Sequence, residues 1–156
     1  PCIDVSGFYH TDETDVFDMH DYTQDADIFA QTYLSPDNMV EGFDSSHAHK
    51  LGGRQNYKKG IPVFISEYGG IRWDSDNKGG WGYGNAPETE VEFMQRYKSL
   101  TEVLLSLDYI FGFCYTQLYD VEQEVNGLYT YERKPKFNME YIKSINQQPA
   151  AIEKCK

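Results

Sequence analysis

Three clusters of polar side chains directly follow short apolar runs in this sequence, and they are the candidates for chemistry. They are His20-Asp21-Tyr22, Glu67-Tyr68 and Tyr115-Thr116-Gln117. A carboxylate flanked by a phenol and an imidazole suits nucleophilic attack on a glycosidic carbon, because the phenol orients the carboxylate and the imidazole bonds sugar hydroxyls. Retaining glycoside hydrolysis also requires a second carboxyl group about 5–5.5 Å from the first. The alternative for Glu67 is an acid at a solvated strand end, with no chemical role.

The apolar runs that precede these clusters predict the strands that would position them. Predicted strands cover 3–6, 16–19, 63–67 and 110–115. Glu67 then stands at the carboxyl end of a buried strand, which is where α/β proteins hold their catalytic groups. Gly69-Gly70 break the chain directly after it.

Amphipathic segments between the strands predict helices, which cover 26–34, 88–107 and 137–145. Asp25 can cap the first helix, Ser35-Pro36-Asp37 end it, and Pro87 opens the second. An apolar stripe along the second helix consists of Val91, Met94, Leu100, Val103, Leu104 and Leu107.

Two long segments, 37–60 and 69–87, are rich in glycine and predict loops. The second loop carries Trp73 and Trp81, which favours a folded loop that faces a ligand. We therefore predict that both tryptophans form walls of a sugar pocket. The alternative is that they pack within the loop.

Apolar strands separated by helices favour an α/β fold with a parallel sheet that is covered on its outer face. Four strands and three helices amount to about half of a (β/α)8 TIM barrel, in which the strand ends converge on one face. We predict a truncated barrel over 1–146 and a polar tail over 147–156. The chain begins without Met, inside the first predicted strand, which we interpret as a fragment of a longer protein.

Composition excludes several classes of function. A net charge of −11 disfavours a nucleic-acid partner, and no apolar run approaches the roughly 18 residues of a membrane span. The three cysteines, Cys2, Cys114 and Cys155, lie far apart, so neither a zinc cluster nor a disulfide framework is indicated. No glycine-rich phosphate motif follows a strand, and we predict no cofactor. The 13 tyrosines suit sugar stacking or ordinary core packing. The sequence indicates no compartment.

Several segments in order resemble family-two glycoside hydrolases, the group of β-galactosidases, β-glucuronidases and β-mannosidases. Glu67 in Ile65-Ser66-Glu67-Tyr68-Gly69 resembles the nucleophile segment of that family. Residues 15–22 are similar to its sixth barrel strand and residues 112–120 to its eighth. Residues 126–136 resemble the closing segment before the last helix. The resemblance implies the C-terminal half of the catalytic barrel.

The resemblance also implies roles for individual residues. Glu67 would be the nucleophile, Tyr22 its hydrogen-bonding neighbour and His20 a sugar contact. Tyr115 stands where many members have a tryptophan that lines the sugar site, which implies stacking on the substrate.

Three departures from the family pattern bear on activity and substrate. The Asn-x-Lys that contacts a glucuronate carboxylate in the family is replaced by Glu124-Val125-Asn126, and Gly70-Ile71 replace the His and Met of well-known β-galactosidases. The family's general acid/base is a Glu after an Asn, and no Asn-Glu dipeptide occurs here. We therefore predict a retaining, β-galactosidase-like enzyme fragment that cleaves terminal β-linked sugars by double displacement. We expect the fragment to be inactive by itself. The sequence does not determine which sugar or which linkage the enzyme would cleave.

Other candidate residues have plainer explanations. Asp18, His20 and Asp21 could suggest a metal site, but alternate strand residues point to opposite faces, so we predict no metal. His10 could border the site, although an ordinary turn residue accounts for it as well. Arg133 is a candidate ligand contact or a partner of nearby acids.

Two further predictions concern the class of function and the partners. The alternative to an enzyme fragment is a non-catalytic carbohydrate-binding or scaffold domain that keeps an aromatic cleft. Unpaired barrel edges invite pairing with another chain, so we expect a homo-oligomer in solution.

Overall fold

The computed structural model of the 156-residue chain describes residues 1–7, 10–41, 57–74 and 79–154. The elements follow in the order β1 (Phe17–Asp21), α1 (Ala26–Thr32), α2 (Pro36–Glu41), β2 (Val63–Gly69), α3 (Glu90–Leu105), β3 (Ile110–Thr116), α4 (Met139–Asn146) and a 3-10 helix (Ala151–Lys154). The three strands form one parallel sheet in the order β1-β2-β3. The predicted α/β class is confirmed, and three of the predicted strands match observed ones.

Register shifts in the sheet set the position of the strand ends. Between β1 and β2 the pairing shifts after Met19, so that His20 comes to lie opposite Glu67. Between β2 and β3 it shifts again, so that Tyr68 lies opposite Tyr115. Such irregularities re-aim side chains at the end of a strand. All three polar clusters of the sequence therefore meet at the same edge of the sheet.

The hydrophobic core lies between one face of the sheet and the helices. The strands contribute Phe17, Met19, Val63, Ile65, Tyr68 and Ile110, and α3 contributes Phe93, Met94, Tyr97, Leu100 and Leu104. The Tyr68 hydroxyl lies 2.8 Å from the Thr101 hydroxyl of α3, so strand and helix are in direct contact. This face is covered in the way that parallel strands require.

The opposite face of the sheet carries aromatic side chains on β2 and β3, whereas β1 is buried on both faces, with Phe17, Asp18 and Met19 at most 5% exposed. Phe64 points away from the core that takes Val63 and Ile65, because successive side chains of a strand alternate. Its ring lies 5.5 Å from that of Phe111 in β3, and Phe111 is 49% exposed. Exposed apolar surface of this kind is suited to burial against further protein.

Helix α3 is the longest helix of the described residues. Thr89 caps it by accepting a hydrogen bond from the Glu92 N–H at 3.2 Å, and the acids of its first turn suit the helix dipole. Its buried face is centred on Phe93 and Tyr97. Val91 was predicted in the apolar stripe, but it is 64% exposed. That prediction was wrong because the stripe left out the aromatic residues that set the buried face.

The segment 3–6 was predicted as a strand, but it makes no strand pairing. Side-chain contacts occupy it instead. The Asp4 carboxylate accepts from the Thr11 N–H and lies 2.6 Å from His10 Nδ1, and the Gly7 N–H donates to Asp18 at 2.8 Å. The prediction was wrong because aspartate side chains offer a short apolar run local alternatives to a sheet.

The first helix ends before Ser35-Pro36-Asp37, as predicted, but Pro36 begins α2, so residues 37–41 of the predicted loop are helical. Ser35 Oγ accepts a hydrogen bond from the Asn38 N–H at 3.2 Å, and proline at a first helical position has no N–H to satisfy. Residues 42–56, most of the predicted loop 37–60, lie outside the described ranges. The predicted polar tail contains the 3-10 helix.

A buried lysine joins the loop after β2 to the loop after β3. The Lys136 side chain is 3% exposed and lies 2.6 Å from the Asp120 carboxylate. It also donates to the carbonyls of Trp73 at 3.1 Å and Val125 at 3.2 Å. The same Asp120 oxygen accepts from the Gly127 N–H at 3.0 Å. A single cation therefore satisfies oxygen atoms from both loops.

We predict that Lys136→Met destabilises the fold by about 3–5 kcal/mol, because it leaves the Asp120 carboxylate buried without its cation. Urea denaturation followed by circular dichroism measures the change. The matched control is Lys98→Met, which removes an exposed ion pair to Glu102 at 3.8 Å and costs at most about 0.5 kcal/mol. Equal effects of the two substitutions would contradict the prediction.

Candidate active site

Glu67, at the end of β2, lies at the centre of the candidate site. Its side chain is 37% exposed. The Tyr22 hydroxyl donates a hydrogen bond to Glu67 Oε2, and His20 Nδ1 lies 3.3 Å from the same oxygen. The first two polar clusters of the sequence are therefore in contact, across the pairing of β1 with β2.

Tyr22 is held as a protonated donor. Burial raises the pKa of Tyr22 well above its usual value, and the hydrogen bond to Glu67 raises it further, against an opposing contribution from Thr116. Thr116 precedes a cis peptide bond to Gln117 at the end of β3. Tyr22 therefore orients the Glu67 carboxylate without losing its proton at neutral pH.

His20 lies between Glu67 and the N-terminal segment. Its Nε2 is 3.0 Å from Ser6 Oγ, and its Nδ1 faces Glu67. The family resemblance implies a sugar contact for His20, and that role stays a prediction. Both ring nitrogens of His20 therefore have a polar contact.

Tyr115 lies beneath the site. Its ring packs edge-to-face on Tyr68 with centroids 5.7 Å apart. Its hydroxyl accepts from the Ile71 N–H at 3.2 Å and donates to the Asn126 carbonyl at 3.3 Å. Burial raises the pKa of Tyr115. The ring supports the loops around Glu67, and its predicted stacking on a sugar stays a prediction.

The two predicted tryptophan walls lie in different environments. Trp73 packs against Phe93 at 6.0 Å and Phe137 at 5.7 Å, at the edge of the core. Trp81 is 49% exposed, and its ring lies 5.9 Å from that of Tyr83. Trp73 thus packs on α3 and Phe137 rather than within its own loop, whereas Trp81 remains accessible near the site. That either ring is the wall of a sugar pocket stays a prediction.

Tyr83 lies beside the site and was missed by the sequence analysis, and Glu124, which the sequence analysis named only as a departure from the family pattern, acts on it. The Tyr83 ring stacks on Tyr22 with centroids 3.5 Å apart and planes 5° apart. Burial raises the pKa of Tyr83, and the charges of Glu124 and Glu67 raise it further. The alternation of aromatic residues and glycine in Trp81-Gly82-Tyr83-Gly84 was the signal available in the sequence.

The two acids near His20, Asp18 and Asp21, bind different hydrogen-bond partners. Asp18 accepts from the Gly7 N–H at 2.8 Å. Asp21 accepts from the Thr23 N–H at 2.8 Å and the Tyr33 hydroxyl at 3.1 Å, and burial raises the pKa of Asp21. Within the described residues, no group of three or more His, Cys, Asp or Glu side chains could hold a metal ion. The same residues contain no helix with the length and apolarity to span a membrane.

His10 and Arg133 have contacts of their own. His10 is buried against the β1 backbone, with its Nε2 2.8 Å from the Asp18 carbonyl, so it is a packed residue rather than a turn residue. The Arg133 guanidinium lies 5.5 Å from the centre of the Tyr119 ring. Such a contact is a cation–π interaction.

We predict that Gly69→Ala destabilises the protein by about 2–5 kcal/mol, since it combines a strained left-handed backbone with overpacking. Gly69 has φ +81°, and a Cβ there would lie 2.4 Å from the Tyr115 ring. Gly60→Ala is the matched control, because Gly60 has φ +98° and open space around its Cβ position. Urea denaturation should show the smaller loss for Gly60→Ala. A Gly69→Ala loss no larger than that of the control would refute the steric contribution.

Comparison with known proteins gives a likeness of fold. No protein-family model matches this chain, and no curated protein matches it. Among solved structures, a β-D-glucuronidase from Dictyoglomus thermophilum is 18% identical, with a TM-score of 0.54 over 88% of this chain and 23% of its own. A Bifidobacterium dentium β-glucuronidase complexed with coumarin-3-O-glucuronide is 17% identical, with a TM-score of 0.54 over 87% of this chain and 21% of its own. The chain thus has the fold of less than a quarter of each of these enzymes.

Proposed function

We propose that this chain carries the nucleophile half of a retaining β-glycosidase site, with Glu67 as the nucleophile. The observation that supports the proposal is the contact of Tyr22 and His20 with one oxygen of Glu67. This contact lies at the carboxyl ends of the parallel strands, where barrel enzymes hold their catalytic groups. The fold likeness to β-glucuronidases supports the glycosidase class.

The two oxygens of Glu67 have different surroundings, which suits a double displacement. Tyr22 and His20 both contact Oε2, and no described residue hydrogen-bonds Oε1. Oε1 would form the bond to the anomeric carbon while the bond from that carbon to the leaving oxygen breaks. A separate general acid gives that oxygen its proton, and the same group then deprotonates the water that cleaves the glycosyl ester.

We further propose that the chain forms the C-terminal half of a (β/α)8 barrel and is inactive by itself. The absence of an Asn-Glu dipeptide supports an acid/base supplied by another segment. The chain matches only 21–23% of the length of the similar enzymes. The part of the sheet face that carries Phe64 and Phe111 would then be covered by the remaining strands.

A neutral sugar is the substrate that the charges favour. Glu124 accepts from Asn126 Nδ2 at 3.0 Å, and its charge acts on Tyr83 together with that of Glu67. A uronate carboxylate would meet the like charge of Glu124 there, in addition to the nucleophile that any retaining enzyme presents. This supports a neutral β-glycoside, such as the β-galactoside of the family resemblance, over a glucuronide.

The alternative is a non-catalytic carbohydrate-binding domain. The exposed Trp81, which meets Tyr83 edge-on, favours it, because aromatic rings of this kind suit contact with sugar faces. This alternative requires no second carboxyl group.

Covalent labelling by an activated sugar tests whether Glu67 is the nucleophile and does not require the general acid that this chain lacks. A dinitrophenyl galactoside with fluorine next to the anomeric carbon needs no proton for its leaving group, since dinitrophenolate departs as an anion. We predict that Glu67 Oε1 bonds the anomeric carbon and that mass spectrometry finds the fluoro-sugar on the Glu67 peptide. An unactivated aryl β-galactoside should show no turnover.

Two variants control the labelling. Glu67→Gln should abolish it, and Glu140→Gln, an exposed acid on α4, should leave it unchanged. Labelling that persists in Glu67→Gln would refute the assignment of the nucleophile. Robust turnover of the aryl glycoside by this chain would refute the proposed incomplete site. Saturable galactoside binding without labelling would favour the binding domain.

We also propose that the chain self-associates, since β1 and β3 leave sheet edges without a strand partner among the described residues. Light scattering should give a mass above that of the 18.1 kDa chain. The mass should rise with concentration. A monomer at every concentration would contradict this expectation.

A further inference from the structure

We propose that residues 81–84, named here the aromatic strap, hold Tyr22 in the orientation that directs its hydroxyl at Glu67. Tyr83 is the positioning residue of the strap. The role of Tyr83 in catalysis rests on the proposed function, whereas its packing against Tyr22 rests on geometry alone.

The Tyr22 ring is confined on one face by Tyr83 and at its edge by Gly70. The two tyrosine rings are nearly parallel, with centroids 3.5 Å apart. Gly70 has φ +57°, and a Cβ there would lie 2.4 Å from the Tyr83 ring and 2.9 Å from the Tyr22 ring. Only glycine leaves room for both rings. Tyr22 therefore has no space to rotate away from Glu67 on these sides.

Backbone hydrogen bonds fix the strap at both ends. The Tyr83 N–H donates to the Gly70 carbonyl at 2.9 Å, and the Trp81 N–H donates to the Gln123 carbonyl at 2.7 Å. Beyond the strap, Arg96 in α3 donates to the Asn85 carbonyl at 2.8 Å. The position of Tyr83 is thus set when the chain folds. Preorganisation of this kind spares a site the cost of ordering its groups when a ligand arrives.

The strap also supplies part of the burial that keeps Tyr22 protonated. Burial is the largest cause of the raised pKa of Tyr22, and the groups that face its hydroxyl are Glu67, Thr116 and Tyr83. His20 lies on the far side of the Glu67 oxygen, and Glu124 acts on Tyr83. Removal of the ring at position 83 would expose Tyr22 and free it to move.

Titration of Tyr22 tests the strap independently of glycosidase chemistry. NMR of the chain with carbon-labelled tyrosine follows the Tyr22 phenol carbon, which is assigned by its loss in Tyr22→Phe. The wild-type Tyr22 signal should stay that of the protonated phenol up to the highest pH at which the chain is folded, whereas in Tyr83→Ala it should titrate within that range, towards the ordinary value of about 10. Tyr83→Phe keeps the stacked ring and should behave much more like the wild type than like Tyr83→Ala, and Tyr141→Ala on α4 should match the wild type.

A Tyr22 phenol that stays protonated over the same pH range in Tyr83→Ala, or that titrates equally early in Tyr83→Phe, would overturn the proposal. If Tyr83→Ala does not fold, Tyr83→Leu decides by the same titration, because it fills space without a flat ring. A merely structural role would lower stability in these variants and leave the Tyr22 phenol of the folded protein protonated, as in the wild type.

The rate of Glu67 labelling by the fluoro-galactoside tests whether Tyr83 contributes to catalysis. Tyr83→Ala should slow labelling by about 10–100-fold, as expected when a reacting group is misplaced, and Tyr83→Phe should restore most of the rate. Equal rates in the wild type and Tyr83→Ala would overturn the positioning role. Absence of labelling in the wild type would count against the proposed function instead. The titration of Tyr22 would then be the test of whether the aromatic strap positions Tyr22.

Discussion

The central place of β2 in the parallel sheet is the constraint on which the candidate site depends. A strand paired on both sides cannot slide along either neighbour without breaking two sets of backbone hydrogen bonds. The register shifts on its two edges are therefore fixed together, and they bring His20 opposite Glu67 and Tyr68 opposite Tyr115. The geometry around Glu67 is thus a property of the whole sheet rather than of a flexible loop.

Tyrosine serves this fold mainly as a packing residue with one polar atom to satisfy. The hydroxyl of Tyr68 meets Thr101, that of Tyr97 meets Asn146, and that of Tyr109 meets the Tyr33 carbonyl. A buried phenol needs such a partner, which makes each ring specific to its position. The high tyrosine content of the sequence is explained more by these contacts than by sugar stacking. Tyr22 and Tyr83 differ from these buried rings because they lie beside Glu67, and Tyr119, Tyr131 and Tyr141 are exposed.

The sequence predicted the parts of the fold that local patterns control. The apolar run before Glu67, the Asp25 cap of α1 and the periodicity of α3 are local signals, and they led to observed elements. The strand predicted at 3–6 failed because a strand needs a partner, and side chains of Asp4 and Asp18 bind the backbone there instead. Tyr83 was missed because its stacking on Tyr22 joins distant parts of the chain, and no periodicity in a glycine-rich loop reveals such a contact.

The ion pair of Lys136 with Asp120 has a mechanical consequence for the rim of the site. Because one ammonium group bonds to oxygens at Trp73, Asp120 and Val125, the chain at Trp73 and the chain at 120–125 cannot separate without breaking these bonds. Trp81 is joined to the same group of residues through its backbone bonds to Gln123 and Val125. Trp81 can therefore move away from the site only by breaking its own bonds to 123–125 or those of Lys136.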